Sequence, residues 1–207
     1  MPSSQGEDPR VSAIFRALAD GDHLQAIALS EQHWSYLSSF RLEVKRTVAD
    51  SLPDDVLRAR PLWVVTRQAL AHAFFGRVRP SLWGGLLPPL RPSDSLVDRL
   101  AVHTGYAAAA RTRGRLGDAA LWAARAQSEL ARAPEAERAA ARFIRAELYH
   151  EWALVALFAG RGADAIVLFT RSYEAAEQEE YPGAAINAAA ELAWLMTLTG
   201  ERAQALA

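Results

Sequence analysis

The sequence predicts an all-α fold, a solenoid of antiparallel helix pairs with about 10 to 11 helices. Three observations carry that expectation. Alanine, leucine, arginine and glutamate, all good helix formers, dominate, while valine, isoleucine and threonine seldom alternate as a strand would need. Apolar residues recur at three- and four-residue spacing, as in Phe143, Leu148, Trp152, Val155 and Ala159. A Gly-x-x-x-x-Ala pattern recurs at helix junctions: Gly21/Ala26, Gly114/Ala119, Gly160/Ala165 and Gly200/Ala205.

The elements follow in order. Residues 1–8 are polar and rich in serine, glycine and proline, which predicts a disordered tail before a single domain over 9–207. Helices are expected at 9–20, 22–33, 36–51, 53–59, 61–75, 93–113, 117–133, 135–159, 163–180 and 182–199, with another starting at 201. Proline opens helices at Pro61, Pro134 and Pro182, where its missing N–H costs nothing. Ser93 is the expected N-cap of its helix. Glycine closes helices at Gly21, Gly76, Gly114, Gly160 and Gly200. The stretch 77–92 holds Pro80, Gly84, Gly85, Pro88 and Pro89 and is expected to be irregular. Its Trp83, Leu86 and Leu87 are expected to cover a core edge or meet a partner.

The repeat has a physical rationale. The glycine ends one helix in a left-handed conformation, and a small alanine in the next helix's first turn lets the two backbones approach. The last three glycines lie 46 and 40 residues apart. With Tyr149 and Trp152 before one turn and Phe169 after it, the unit resembles a tetratricopeptide (TPR) repeat. Ala153 and Ala156 stand where that pattern has glycine and tyrosine, and the period exceeds the usual roughly 34 residues. The resemblance implies a TPR-like right-handed superhelix.

A second segment narrows the family. Leu52, Pro53, Asp54, Leu57, Pro61 and Leu62 form an LP-(D/E)-x-x-L-x-x-x-P-x-L stretch. It resembles the entry to the helical-repeat sensor region of large LuxR-type, MalT-like transcription regulators. That resemblance implies a signal-sensing module, with an ATPase domain before it and a helix-turn-helix domain after it. No Gly-x-x-x-x-Gly-Lys-Ser/Thr is present, and the sole lysine, Lys45, lies in a helical pattern. The sequence stops about two turns into a helix after Gly200. These residues are therefore expected to be a fragment whose DNA-binding domain lies beyond them.

Composition limits the chemistry. A net charge of -1 argues against a duplex-binding surface in these residues. The absence of cysteine removes thiolate chemistry and disulfides. Neither a signal peptide nor an apolar run of the roughly 18 residues a bilayer needs is found, which points to a cytoplasmic protein. His23, His33, His72, His103 and His150 never fall three or four apart, so no helical metal pair exists. His150-Glu151 is half of a zincin motif, with Leu154 in place of the second histidine. Gly160-Arg-Gly-Ala-Asp-Ala165 matches a loose dinucleotide fingerprint but sits between helices rather than after a strand. Glu177, Glu179 and Glu180 read as a solvated helix face. No enzyme activity, metal or cofactor is expected.

Binding is the remaining role. In a superhelix the first helix of each pair lines the concave face. The expected groove stripes are Trp63 and Arg67; Arg99, His103 and Tyr106; Arg142, Arg145, Tyr149 and Trp152; and Asn187, Glu191 and Trp194. Aromatic and charged groups together suit a peptide, protein or small-molecule effector. The aromatics among them also fit as core residues between helices. The alternatives are an effector sensor within a regulator and a free-standing TPR-like scaffold joining proteins, with homo-oligomerisation open to either.

Overall fold

Helix signals in this chain translate closely into helices. The computed structural model describes residues 8–73, 87–198 and Gly200. These form α1 (Pro9–Ala19), α2 (His23–Gln32), α3 (Trp34–Phe40), α4 (Leu42–Ser51), α5 (Asp54–Ala59) and α6 (Pro61–Ala73). After Leu87–Ser95 come α7 (Leu96–Thr112), α8 (Leu116–Arg132), α9 (Glu135–Ala140), a 3-10 turn (Arg142–Ile144), α10 (Arg145–Phe158), α11 (Gly162–Gln178) and α12 (Pro182–Leu198). No strand occurs among the described residues, so the fold is all-α. None of the described helices is long and apolar enough to cross a membrane. Residues 1–7 of the expected tail lie outside the described residues. So do Gly76, the irregular segment up to Leu86 with Trp83, Ala205 and the helix start at 201.

Local chemistry sets the boundaries. Asp8 caps α1 by accepting from the Arg10 N–H at 2.9 Å, and Asp22 caps α2 by accepting from Gln25 at 2.9 Å. The cap of α7 is Ser95 rather than the expected Ser93. Its hydroxyl accepts from the Asp98 N–H at 3.1 Å and donates to the Asp98 carboxylate at 2.7 Å. The other Asp98 oxygen accepts from the Leu62 N–H at 2.8 Å, which pins the start of α7 to the start of α6. Ser95 wins because only a helix starting there brings Asp98 to that N–H.

Two expected helices are broken. The stretch 36–51 starts earlier, at Trp34, and kinks at Arg41 (φ -139°) into α3 and α4. The stretch 135–159 breaks at Ala141 into α9, the 3-10 turn and α10. That break puts Ile144 into the core and brings Phe143 edge-on to Trp34, with ring centroids 5.3 Å apart.

Gly21, Gly114 and Gly160 take φ of 74°, 73° and 74°. Each turn closes with the following residue's N–H bonded five residues back, as from Arg161 to Ala156 O at 2.9 Å. The alanines that follow, Ala26, Ala119 and Ala165, are fully buried. Thus α1 packs on α2, α7 on α8 and α10 on α11. The junction of α11 and α12 uses the same turn without glycine. Glu180 sits at φ 48°, and the Tyr181 N–H bonds to Ala176 O at 2.8 Å. The solvated face expected for the three glutamates holds at Glu177 and Glu180, which are exposed, whereas Glu179 is half-buried.

One apolar cluster runs from α1 to α12, around Trp34, Trp63, Trp152 and Phe169. Helices α6, α7 and α10 lie side by side within it. One further contact exceeds anything that stacked pairs would make. Ser35 Oγ donates to Glu179 O at 3.0 Å, and the Gly183 N–H donates to Ser39 Oγ at 3.1 Å. A Cβ at residue 183 would lie 3.1 Å from Ser39 Oγ and 3.4 Å from Ser39 Cα, so glycine eases this approach. Helix α3 is thereby seated on the start of α12, joining an early helix to the last one described. In a one-dimensional stack each repeat touches only its neighbours.

The left-handed Glu180 generates a prediction. Glu180→Gly should raise the unfolding free energy by up to about 1 kcal/mol, while Gly160→Ala should lower it by about 1 kcal/mol. Urea denaturation of the two variants measures both signs.

Candidate functional site

The helices that meet at this closure border an open cavity of about 620 Å³. Its floor is α7, where Ala101, Gly105, Ala108 and Thr112 form one stripe of small residues. The short side chains leave room beside this helix, except at Gly105, where Leu87 and Val65 fill the gap and a Cβ would meet Leu87 Cδ1 at 2.9 Å. Leu62, Val65 and Ala69 of α6 form one wall, and Ile144 and Leu148 form the opposite one. The polar groups come mainly from α3, α4 and α10: Ser38, Lys45, Glu147 and Glu151. Tyr181, ahead of α12, closes the end.

Glu147 organises the polar end. Its Oε1 accepts from Trp34 Nε1 at 3.0 Å and from the Tyr181 hydroxyl at 2.6 Å. Lys45 Nζ lies 3.7 Å from the same oxygen and donates to Ser38 Oγ at 2.7 Å. The ammonium also rests 3.2 Å from the centroid of the Trp34 ring. Trp34 is fixed in turn by edge contacts with Trp63 and Phe143. Lys45 falls on the inner face of α4 because Val44, Val48 and Ala49 bury the same helix. Its side chain is only 5% exposed. Burial lowers the Lys45 pKa to about 8, with Glu147 opposing the shift. Burial also raises the Tyr181 phenol well above its ordinary range, and the Glu147 carboxylate adds to that.

A second pair stands on the α7–α10 side. Arg111 grips Glu151 with two bonds of 2.7 and 2.9 Å. Burial raises the Glu151 pKa despite that arginine. Nearby, Trp152 Nε1 donates to Thr104 Oγ1 at 2.9 Å and locks α10 to α7.

The residues expected to line a groove are placed elsewhere, and none of the twelve faces this cavity. Trp63 is fully buried and donates to Glu31 at 2.9 Å. Arg67 is buried beside Arg46, Ala49 and Asp50. Arg99, His103 and Tyr106 are brought together, but toward α8. There Glu129 accepts from Arg99 at 2.9 Å and meets His103 Nε2 at 2.9 Å, while both His103 and Tyr106 stack on Trp122. Burial lowers the His103 pKa, partly offset by Glu129. Trp152 is core, and Tyr149 packs edge-on against it with centroids 5.3 Å apart. Arg145 is half-buried, and Arg142 is exposed, 3.9 Å from Glu179. On α12, Asn187 and Trp194 are exposed and Glu191 is half-buried. The cavity takes adjoining positions: Leu62 and Thr66 of α6, Thr104 and Gly105 of α7, and Ile144 of the 3-10 turn with Leu148 of α10. A one-residue step turns a helix by about 100°, which is enough to carry these side chains out of the cavity.

Sequence reasoning passed over Trp34, Ser38, Glu147 and Tyr181 as site residues. One signal for Lys45 was present: the sole lysine of the chain falls between Val44 and Val48 on an apolar stripe. His150, from the half zincin motif, faces Phe169 at 5.3 Å while Glu151 turns to Arg111. No cluster of three metal-ligating side chains occurs among the described residues. Comparison with protein-family models, curated proteins and solved structures gave no match.

The depressed Lys45 pKa carries a pH signature. The folded value, about 8, lies below the ordinary 10.5, so unfolding takes up a proton between the two. The penalty for burying this charge is full below pH 8 and is relieved as pH rises toward 10.5. Lys45→Met should remove a stability gain on the order of 1 kcal/mol per pH unit between about pH 8 and 9.5, below the range where Tyr181 acts. Paired denaturation curves for wild type and variant across that window give the difference.

Proposed function

We propose that the chain is a non-catalytic, TPR-like sensor module of a LuxR-family, MalT-like transcription regulator, and that it binds a small effector in the cavity beneath Trp34 and Lys45. The cavity itself carries the binding part. Its volume, about 620 Å³, falls in the range of small-molecule sites, and its apolar walls surround a few convergent polar groups. The regulator part rests on the Leu52–Leu62 stretch. Leu52, Leu57 and Leu62 are all buried, so this motif packs α5 against α6, whose Leu62 lines the cavity. The TPR-like part is supported by the glycine turns, the buried alanines and the neighbouring placement of α6, α7 and α10. An effector that fits the cavity better in one spacing of α3 from α10 would shift that spacing and pass the change along the array. DNA contact would fall to a domain outside these residues, and the location would be cytoplasmic.

Ala108→Trp should fill the cavity floor. It should abolish ligand-induced thermal stabilisation in a metabolite screen and leave the unliganded melting temperature within about 4 °C of wild type. Ligands that stabilise wild type and variant equally would place binding elsewhere. For the regulator part, the mass of the native gene product is decisive. A product well above 22.6 kDa with a DNA-binding domain supports the reading, and one of 22.6 kDa defeats it.

One observation favours the scaffold reading. The outer face of α12 exposes Ile186, Trp194 and Leu198, at 68%, 51% and 64%. As a scaffold, the module would hold a peptide or protein on that face and take no small ligand.

A further inference from the structure

Within the cavity, Lys45 is held by a long ion pair and by the face of the Trp34 ring rather than by a short carboxylate contact. Its nearest carboxylate oxygen is 3.7 Å away and already accepts from Trp34 and Tyr181. Its one short bond is to a neutral hydroxyl, Ser38 Oγ, at 2.7 Å. The amine is buried yet belongs to the cavity lining, beside apolar walls.

We propose that Lys45 captures a small aliphatic aldehyde reversibly, as an imine formed inside the cavity. The inference rests on the ligand-binding reading above and names the ligand class. The uncharged amine attacks the carbonyl carbon, and the carbonyl π electrons move to oxygen. A proton passes from nitrogen to that oxygen, giving a carbinolamine. Glu147 lies within 3.7 Å of Nζ and is bridged to it by Ser38, so its carboxylate is positioned to take the amine proton and return it to the carbinolamine hydroxyl. The C–O bond then breaks, water leaves, and the nitrogen lone pair completes the C=N bond. Water addition reverses every step, and no oxidant or reductant is consumed. Tyr181, bonded to Glu147 at 2.6 Å, is a positioning residue that holds the carboxylate in place. Leu62, Val65 and Leu148 give the alkyl chain an apolar bed, and the stripe through Ala101 and Ala108 gives it room. The low Lys45 pKa, about 8, leaves far more uncharged amine at neutral pH than an exposed lysine has. Glu147 and Tyr181 are the titratable groups that face it, from α10 and from the start of α12.

Since Lys45 is the sole lysine, one experiment reads the site directly. The full chain is incubated with hexanal and sodium cyanoborohydride, and adducts are located by peptide mapping. Lys45 should be alkylated at least about ten-fold faster than acetyl-lysine amide at neutral pH. The rate should follow a titration with a midpoint near 8. Ala108→Trp should abolish the Lys45 adduct while the N-terminal amine still reacts, and Lys45→Arg should show the N-terminal adduct alone. Hexan-1-ol, which has the chain but no carbonyl, separates the two levels of the argument. If hexan-1-ol raises the melting temperature of wild type but not of Ala108→Trp, and hexanal marks only the N-terminus, capture is wrong and the binding cavity stands. If neither compound acts, both fail. Equal Lys45 labelling in wild type and Ala108→Trp also overturns the proposal, because it would not require the cavity.

Discussion

One oxygen atom of Glu147 holds the interior of this molecule in register. It takes the indole N–H of Trp34 and the hydroxyl of Tyr181 and stands closest to the buried charge of Lys45. Those partners belong to α3, to the turn before α12 and to α4, while the carboxylate itself rides on α10. Each is a group whose burial without a partner costs about 1–3 kcal/mol. The closure of α3 over α12 and the shape of the cavity both depend on this centre. The apolar packing of Trp34 against Trp63 and Phe143 then fixes the direction from which the indole arrives.

Most of the helical architecture could be read from residue order, because helix ends are local chemistry. Pro61 and Pro182 start helices, and Gly21, Gly114 and Gly160 end them, through forces that act within one turn of chain. The exceptions were tertiary. Ser95 displaced Ser93 as a cap because Asp98 was needed at the Leu62 N–H, a partner far away in sequence. The breaks at Arg41 and Ala141 deliver Trp34 and Ile144 to the core, and periodicity alone does not see that need. The turn at Glu180 was hidden because glutamate rarely adopts a positive φ.

The cavity-lining residues were far less readable, and for a specific reason. In α6, α7 and α10 the conspicuous stripes are aromatic and charged, and these side chains went to the interhelical core and to ion pairs such as Arg99–Glu129. What faces the cavity on α7 is alanine, glycine and threonine, which look bland in an alanine-rich chain. Space is made by what is missing from a helix face, whereas sequence reading looks for what is present. The polar end is assembled from residues 34, 38, 45, 147 and 181, so its chemistry exists only after the two halves meet.

That meeting changes how the chain must reach its native state. A stack of pairs can nucleate anywhere and spread by contacts close in sequence, with ends that fray independently. Here the bonds of Ser35 to Glu179 and of Ser39 to Gly183 each span 144 residues. Such loops cost entropy that is recovered only at the last stage, which slows folding relative to an open array. The early helices remain without their lid until α12 has begun, and loosening α12 withdraws support from α3. Helices α3 and α12 are therefore coupled in one cooperative unit, and the cavity between them keeps its shape only while that unit holds.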